Sequence, residues 1–406
     1  DLGFDNDICG YARISLAYAA GKRASRKVDL ETGEYVINPN SGKPLKDENG
    51  NVVIDPETGK PKKDPKTMQP YTVLDDIYEI EALPEGREKE LRKAAIKPYR
   101  QMQMPQPDFM LCCNNICNCM TKWYENIARM CNIPLIMIDI PYNNTVEVHD
   151  TNVAYVRAQF DQAIKELEKL TGKKFDQEKF DQACANANRT ASAWLRVCDY
   201  LQYKPAPYSG FDLFNHMADI VTARAKPQAA EAFELLEKDL EKAIKEGTST
   251  TPFPEKYRVM FEGIPCWPKL PNLFKPLKAN GVNVTAVVYA PAFGFVYNGL
   301  DEMARAYYKA PNSVCIEQGV DWREGICRDN KVDGVLVHYN RSCKPWSGYM
   351  AEMQRRFTKD LGVPCAGFDG DQADPRNFNE AQYETRVQGL VEAMEANQAA
   401  KEGAEK

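Results

Sequence analysis

The sequence lacks the features that mark membrane, nucleic-acid-binding and nucleotide-binding proteins. No apolar run approaches the roughly 18 residues that a membrane helix needs. The net charge is −6 and no basic patch dominates, so nucleic acid is not an expected partner. The chain has no P-loop and no dinucleotide fingerprint. It begins at Asp1 without a signal or transit peptide, and we expect the natural N-terminus to lie further upstream.

The thirteen cysteines are too sparse for a disulfide scaffold. Their odd number and mostly apolar surroundings favour a reducing cytoplasm, where thiols are core residues or metal ligands. Four of them lie in the stretch "CCNNICNC" at 112–119. This spacing matches neither the paired cysteines of zinc sites nor the ferredoxin pattern. From spacing alone, two interpretations of these cysteines remain equally open: metal ligands, or buried thiols of an apolar core.

Short apolar runs alternate with helical patterns, which predicts an α/β protein with parallel sheets covered on both faces. We predict a first α/β domain over 1–150 whose N-terminal part is missing, a helical connector over 151–250, a second α/β domain over 251–395 and a tail over 396–406. The apolar spacing of 152–171 predicts an amphipathic helix that stops at Gly172. A last helix is expected near 378–395, with Asn379 as its N-cap. The predicted strands are 108–113, 134–140, 257–265, 283–290, 333–339 and 363–369.

The stretch 27–69 differs from the rest of the first domain. "INPNSGKPLKD" at 37–47 and "IDPETGKPKKD" at 54–64 repeat one pattern at a period of 17 residues, with "ENGN" between them. Proline and glycine at these positions set turns, so we predict an exposed insertion of small hairpins. A partner-contact surface and a simple surface decoration both fit this insertion.

Three cysteines share a context that the others lack, since each adjoins an apolar segment and a polar loop: Cys9 in "DICGYAR", Cys117 in "CCNNICN" and Cys343 in "HYNRSCKPW". Ligands in open α/β sheets bind outside the carboxyl ends of the strands. Thiols brought together there from distant parts of a sequence suit an iron–sulfur cluster. We expect a structural role for nine of the other thiols: Cys112, Cys113, Cys131, Cys184, Cys198, Cys266, Cys315, Cys327 and Cys365.

Cys119 is assigned to a different helix face from Cys117, because residues two apart are not neighbours on a helix. The loop "DGDQAD" at 369–374 fits either a divalent-metal loop or an acidic turn at a helix N-terminus.

Longer blocks carry a family resemblance: "MPQPDFMLCCNNICNCMTKWYENIAR", "GFDLFNHMADIVTAR", "RVMFEGIPCWP", "VHYNRSCKPWSGYMAEMQRR" and "AGFDGDQADPRNFNEAQYETRVQGLVEAM". In this order they closely resemble the 2-hydroxyacyl-CoA dehydratases, which share a superfamily with benzoyl-CoA reductase. The resemblance covers nearly all of 1–395. Together with the insertion at 27–69, it is nearest to alpha subunits of the (R)-2-hydroxyglutaryl-CoA type.

The resemblance implies two flavodoxin-like parallel-sheet units and a [4Fe–4S] cluster held by Cys9, Cys117 and Cys343. The fourth iron is then left for water, a serine or the substrate, as a Lewis acid requires. Some members also carry FMN or another flavin. The implied reaction dehydrates (R)-2-hydroxyglutaryl-CoA to glutaconyl-CoA: one electron makes a ketyl radical of the thioester, which expels the 2-hydroxyl group and acidifies the C3 proton.

The same resemblance implies partners and further site residues. A homologous beta subunit, an ATP-dependent iron–sulfur activator and an acyl-CoA substrate are expected, in anaerobic amino-acid fermentation such as glutamate degradation. The catalytic base and a serine are expected upstream of Asp1.

Arg13, His338 and Arg341 flank the cluster cysteines and are candidate substrate-binding residues, although a histidine that ends a strand also fits a structural role.

Other activities also fit the sequence. The chain could act on lactoyl- or 2-hydroxyisocaproyl-CoA, belong to a reductase of the benzoyl-CoA type, or carry a cluster as a non-catalytic electron relay.

Overall fold

The computed structural model describes residues 7–96 and 105–404, which divide into two compact units. The smaller unit holds 11–109 and 125–134, and the larger one holds the stretches up to 10, 110–124 and from 135 onward. Parts of the predicted first domain (1–6 and 97–104) and the last two tail residues (405–406) lie outside the described residues. The predicted domain borders near 150 and 250 stay predictions.

An antiparallel strand pair organises the smaller unit. Its elements are α1 (Gly10–Ala19, which begins one residue before the unit), β1 (Lys22–Arg26), β2 (Thr72–Asp76), α2 (Ile77–Ala82) and α3 (Arg87–Ala95). Lys22 pairs with Asp76 at one end of the β1–β2 ladder. The Asp76 side chain also caps α2 by accepting from the amides of Tyr78 and Glu79. This ladder is absent from the predicted strands, because the insertion separates its two halves in sequence.

The insertion at 27–69 forms exposed hairpins, as predicted. Antiparallel bridges join Val28 to Tyr35, Lys46 to Val52 and Ile54 to Pro61. The whole segment is described, and none of its residues is buried. Aspartates stabilise the turns in the same way. For example, the Asp47 carboxylate accepts from the amides of Asn49 and Asn51. A role of these hairpins in contacting a partner stays a prediction.

A short parallel strand pair and a series of helices open the larger unit. The elements are β3 (Met110–Cys113), α4 (Asn118–Cys131, whose second half lies in the smaller unit), β4 (Leu135–Ile138), α5 (Asp150–Thr171), α6 (Gln177–Asp199), α7 (Gly210–Thr222) and α8 (Pro227–Glu246). Met110 pairs with Leu135 in the parallel ladder. The predicted stop of α5 is confirmed by Gly172, which adopts the left-handed conformation that favours glycine.

A four-stranded parallel sheet forms the centre of the larger unit, in the order β6–β5–β7–β8. Its chain order reverses between β5 and β7, which creates a topological switch point where ligands bind in open α/β sheets. The elements are β5 (Tyr257–Glu262), α9 (Leu270–Ala279), β6 (Val282–Val287), α10 (Leu300–Tyr307), α11 (Ile316–Asp329), β7 (Gly334–Asn340), α12 (Lys344–Ser347), α13 (Met350–Arg356), β8 (Cys365–Gly370) and α14 (Glu380–Ala404).

Both faces of the central sheet are covered, since every residue of β5 and β6 is buried. Large aromatic side chains such as Trp194, Phe214 and Phe261 fill one face, and Met260, Trp346 and Phe357 fill the other. The α/β class is therefore confirmed, while flavodoxin-like topology stays a prediction.

The last helix, α14, is longer than predicted. The predicted end near 395 is wrong, because α14 continues to Ala404. None of the helices in the described part of the chain combines the length and the apolar character needed to cross a membrane.

Candidate functional site

The three candidate cluster cysteines come directly before the first residue of a helix, as Cys315 also does before α11. Cys9 precedes α1, Cys117 precedes α4 and Cys343 is the N-cap residue of the short α12. The amide of Met120, in the first turn of α4, donates to the Cys117 sulfur at 3.3 Å. The amides and the positive dipole end of a helix N-terminus favour a thiolate over a thiol.

The same three thiols lie close together in the larger unit. Cys117 interacts electrostatically with Cys9, and Cys343 interacts with both. Cys343 follows β7, beside the switch point of the central sheet. The predicted convergence of these residues therefore agrees with the structure, whereas their role as metal ligands stays a prediction.

Cys119 joins this group, which sequence reasoning missed. A hydrogen bond with the Cys9 side chain lowers the pKa of Cys119 to about 7. The expectation that Cys119 faces away from Cys117 assumed that both lie on one regular helix. In fact α4 begins at Asn118, so Cys117 lies before the helix and the rule for positions two apart does not apply. The adjacent C-x-C spacing was the signal available in the sequence.

Burial sets the electrostatics of the thiols. It raises the pKa of Cys117 and raises that of Cys343 to about 12. Deprotonating several such neighbouring thiols requires a compensating positive charge, which a metal centre provides. The donor chemistry thus fits an iron–sulfur cluster. The thiols are near one another without forming a ligand shell, since no set of three or more His, Cys, Asp or Glu within 7–96 and 105–404 is arranged to hold a metal ion.

A buried carboxylate ties the cysteine loops together. Asp371 is 1% exposed and accepts from the amide of Ser342 at 3.2 Å. The Ser342 hydroxyl in turn accepts from the amide of Gly10 at 3.1 Å. Because Ser342 and Gly10 are the sequence neighbours of Cys343 and Cys9, this chain of contacts fixes the spacing of two thiol-bearing loops.

Two acidic residues of the 369–374 loop bind neighbouring residues of the same segment. Asp371 also accepts from the amides of Ala373 and Asp374 at 2.9 Å each, and Asp374 pairs with Arg376 at 2.5 Å. These contacts favour the interpretation of the loop as an acidic turn.

His338 is fully buried at the end of β7. Its Nδ1 lies 2.5 Å from the Ile264 carbonyl oxygen, and its Nε2 lies 3.3 Å from the Cys266 sulfur. Its ring stacks on Phe368 at 4.9 Å. Burial lowers the pKa of His338 to about 4, so the ring is neutral near pH 7. These contacts are those of a structural histidine, and a role in substrate binding stays a prediction.

The two candidate arginines occupy different places. Arg13 is buried on α1 and belongs to the smaller unit. Arg341 is exposed and pairs with Asp7 at 3.3 Å, as does Lys344 at 3.7 Å.

Arg341 and Lys344 line a cavity of about 680 Å³ at the carboxyl ends of β7 and β8. The cavity also contains Asp7 and Asp369, so its lining carries both signs of charge. Asn340 is 1% exposed there, and its side-chain amide has no hydrogen-bond partner among the described residues. The cavity is thus equipped to bind a polar ligand next to Cys343.

The sequence matches known proteins over most of its length. Residues 89–394 match the family model "2-hydroxyglutaryl-CoA dehydratase, D-component". The chain is 75% identical over 397 residues to (R)-2-hydroxyglutaryl-CoA dehydratase, subunit alpha, of Acidaminococcus fermentans, covering 98% of this chain and 83% of that protein.

More distant relatives match over a smaller share. The chain is 52% identical to the (R)-phenyllactyl-CoA dehydratase alpha subunit of Clostridium sporogenes, with 73% of each covered. It is 49% identical to the (R)-2-hydroxyisocaproyl-CoA dehydratase alpha subunit of Clostridioides difficile, with 72% of this chain and 73% of that protein covered. These matches show that the chain belongs to the 2-hydroxyglutaryl-CoA dehydratase D-component family.

Proposed function

We propose that this chain is the alpha subunit of a radical dehydratase that converts (R)-2-hydroxyglutaryl-CoA to glutaconyl-CoA. The observation that carries the proposal is the convergence of Cys9, Cys117 and Cys343 beside the switch point of the central sheet. The identity of 75% to an (R)-2-hydroxyglutaryl-CoA dehydratase alpha subunit supports this substrate over those of the more distant relatives.

The proposed cofactor is a [4Fe–4S] cluster held by Cys9, Cys117 and Cys343. When bound, such a cluster supplies a one-electron donor and an iron position open to an oxygen ligand. The chain supplies the positions of the thiols, through Asp371 and Ser342, and a largely buried surrounding. FMN or another flavin is a further proposed cofactor.

The cavity beside Cys343 is the proposed place for part of the acyl-CoA. Arg341 and Lys344 offer positive charge, and the buried amide of Asn340 offers a donor and an acceptor that no described residue uses. A ligand that pairs with these groups removes the cost of leaving a buried amide unsatisfied.

The proposed partners are a homologous beta subunit and an ATP-dependent iron–sulfur activator. The three relatives above are named as alpha subunits, which supports an assembly of more than one chain. The proposed compartment is the cytoplasm, because no disulfide joins any of the thirteen cysteines, all of which are described.

The first experiment measures iron and sulfide in the chain purified anaerobically with its beta subunit. We expect about four irons per chain and absorbance near 400 nm. Cys9→Ala, Cys117→Ala and Cys343→Ala should each lose most of the iron, whereas Cys119→Ala and the control Cys131→Ala should keep it. Full iron content in Cys343→Ala would contradict the ligand assignment, and loss of iron in Cys119→Ala would add a fourth thiol to it.

The second experiment measures turnover with (R)-2-hydroxyglutaryl-CoA, activator, ATP and a reductant. A dehydratase that recycles its electron should complete many turnovers per electron supplied. Electron consumption in proportion to product would instead identify a reductase. The absence of turnover with every acyl-CoA tested, in protein with full iron content, would identify an electron relay.

A further inference from the structure

Gln372 contacts one of the proposed cluster cysteines directly. It follows β8 in the same loop as Asp371, and its side-chain Nε2 donates to the Cys9 sulfur at 3.4 Å. The residue is 1% exposed, so water does not compete for this hydrogen bond. No sequence pattern indicates this contact, because 363 positions separate the two residues.

The chemistry of the site determines which end of the amide faces the sulfur. The Gln372 Oε1 atom has no hydrogen-bond partner among the described residues. Turning the amide would place this oxygen, which is only an acceptor, against an electron-rich sulfur. The repulsion excludes that orientation once Cys9 is a thiolate, so the NH2 group faces the sulfur.

The backbone of Gln372 is held in place from both sides. Its carbonyl oxygen accepts from the Trp267 amide at 3.2 Å, and the amides of the two following residues donate to the Asp371 carboxylate. The same carboxylate accepts from Ser342, whose hydroxyl accepts from Gly10, next to Cys9. The donor and its acceptor thus belong to one connected network, which keeps their separation fixed.

A neutral donor has a specific effect on a sulfur that binds iron. A hydrogen bond withdraws electron density from the thiolate and stabilises the more negatively charged, reduced state of the centre. A lysine or arginine at this position would carry the large cost of burying a charge, and a glutamate would repel the thiolate. Glutamine supplies the donor without a net charge.

We propose that Gln372 is a positioning residue that, through its hydrogen bond to the Cys9 sulfur, raises the reduction potential of the cluster. The inference rests on the proposed function, since it requires that Cys9 binds the cluster. It predicts that the loop after β8 makes the centre easier to reduce without contributing a ligand to it.

The test is a redox titration of the anaerobic complex of this chain with its beta subunit, followed by electron paramagnetic resonance. Gln372→Met keeps the length of the side chain and removes the donor. We expect unchanged iron content, a midpoint potential shifted to more negative values, and a higher iron–thiolate stretching frequency in resonance Raman spectra. Gln372→Glu should shift the potential further in the same direction.

Gln388→Met is the matched control, because Gln388 lies on α14 and its side-chain amide donates to Glu392, one turn further along the same helix. It should leave the potential unchanged. An unshifted potential in Gln372→Met with full iron content would overturn the inference.

A separate outcome distinguishes the inference from the proposed function. An unmutated complex without iron would overturn the proposed function and the inference with it. If Gln372→Met alone loses iron, Gln372→Asn, which keeps the amide and shortens its reach, is titrated as well. Loss of iron in both variants would show that Gln372 holds the cluster in place, and would overturn its assignment as a residue that tunes the potential.

Discussion

Replacing Arg323 by methionine tests how the segment after Cys343 is held. Arg323 and Glu262 are both fully buried, and Nε of the arginine lies 3.0 Å from Oε1 of the glutamate. The same Oε1 accepts from the indole nitrogen of Trp346 at 3.0 Å. Since Trp346 lies on α12, the ion pair anchors the helix that starts directly after Cys343.

The expected loss of stability follows from this geometry. At 3.0 Å, two unit charges attract by about 5–6 kcal/mol at an effective dielectric constant of about 20. Removing one partner of a buried pair typically costs about 3–5 kcal/mol, because the other charge stays buried. Burial raises the pKa of Glu262 and the Arg323 charge lowers it. In Arg323→Met the carboxyl group takes up a proton more readily, which limits the loss.

The pH dependence has a definite sign. A carboxyl group whose pKa is raised on folding stabilises the folded state fully below its unfolded pKa of 4.5, and this contribution is lost as pH rises through the folded value. Because the folded pKa is higher still in Arg323→Met, the deficit relative to the unmutated protein should be larger at about pH 8 than at about pH 5.

Thermal unfolding of the anaerobic complex provides the measurement. A loss of about 3–5 kcal/mol corresponds to a Tm lower by roughly 4–6 °C for a chain of this length. The double variant Glu262→Gln/Arg323→Met should be more stable than the sum of the two single changes, because it leaves no unpaired buried charge. A Tm unchanged in Arg323→Met, or strictly additive losses in the double variant, would refute the reasoning.

Three further predictions concern the same loops. Gly370→Ala places a methyl group 2.6 Å from His338 Nε2 and 2.7 Å from the Cys266 sulfur. This crowding should lower the free energy of unfolding by about 1–3 kcal/mol, measured by denaturant unfolding. Gly389→Ala is the control and should lose no stability, because its methyl group meets open space on α14. The pKa of His338 is lowered from 6.5 to about 4, so its buried neutral ring contributes its full stabilisation only above about pH 6.5. Acidification from about pH 6.5 to about pH 5 should therefore cost about 2 kcal/mol, and this part of the pH slope should vanish in His338→Phe. Asp371→Ala leaves three backbone amides without their acceptor and should cost about 3 kcal/mol and much of the iron content, whereas Asp371→Asn, which keeps an acceptor oxygen, should lose less in both assays.

The strands of this fold are well predicted from the sequence. All six predicted strands exist with ends shifted by a few residues, because buried parallel strands appear as short apolar runs bounded by turn residues. The end of α5 at the left-handed Gly172 was also predicted. Asn379 accepts from the amide of Gln382, as an N-cap residue should.

Features that depend on long-range pairing were not predicted. Periodicity carries no information on strand order, so neither the β6–β5–β7–β8 arrangement nor the β1–β2 ladder followed from it. In the candidate site, too, local features were predicted and long-range contacts were not. The local context of Cys9, Cys117 and Cys343 selected the thiols that converge, but Cys119 and Gln372 join them through contacts that only the folded chain creates.

The hydrogen bond between Gly10 and Ser342 joins residues that are 332 positions apart. At the usual rates of translation, about 5–20 residues per second, Cys9 leaves the ribosome roughly 20–60 s before the loop that carries Cys343. For that interval Cys9 lacks the loop that carries Cys343, and the proposed cluster site is incomplete. If the proposed cluster is held by Cys9, Cys117 and Cys343, its insertion requires nearly the whole chain, and truncated or stalled chains should be unable to acquire iron.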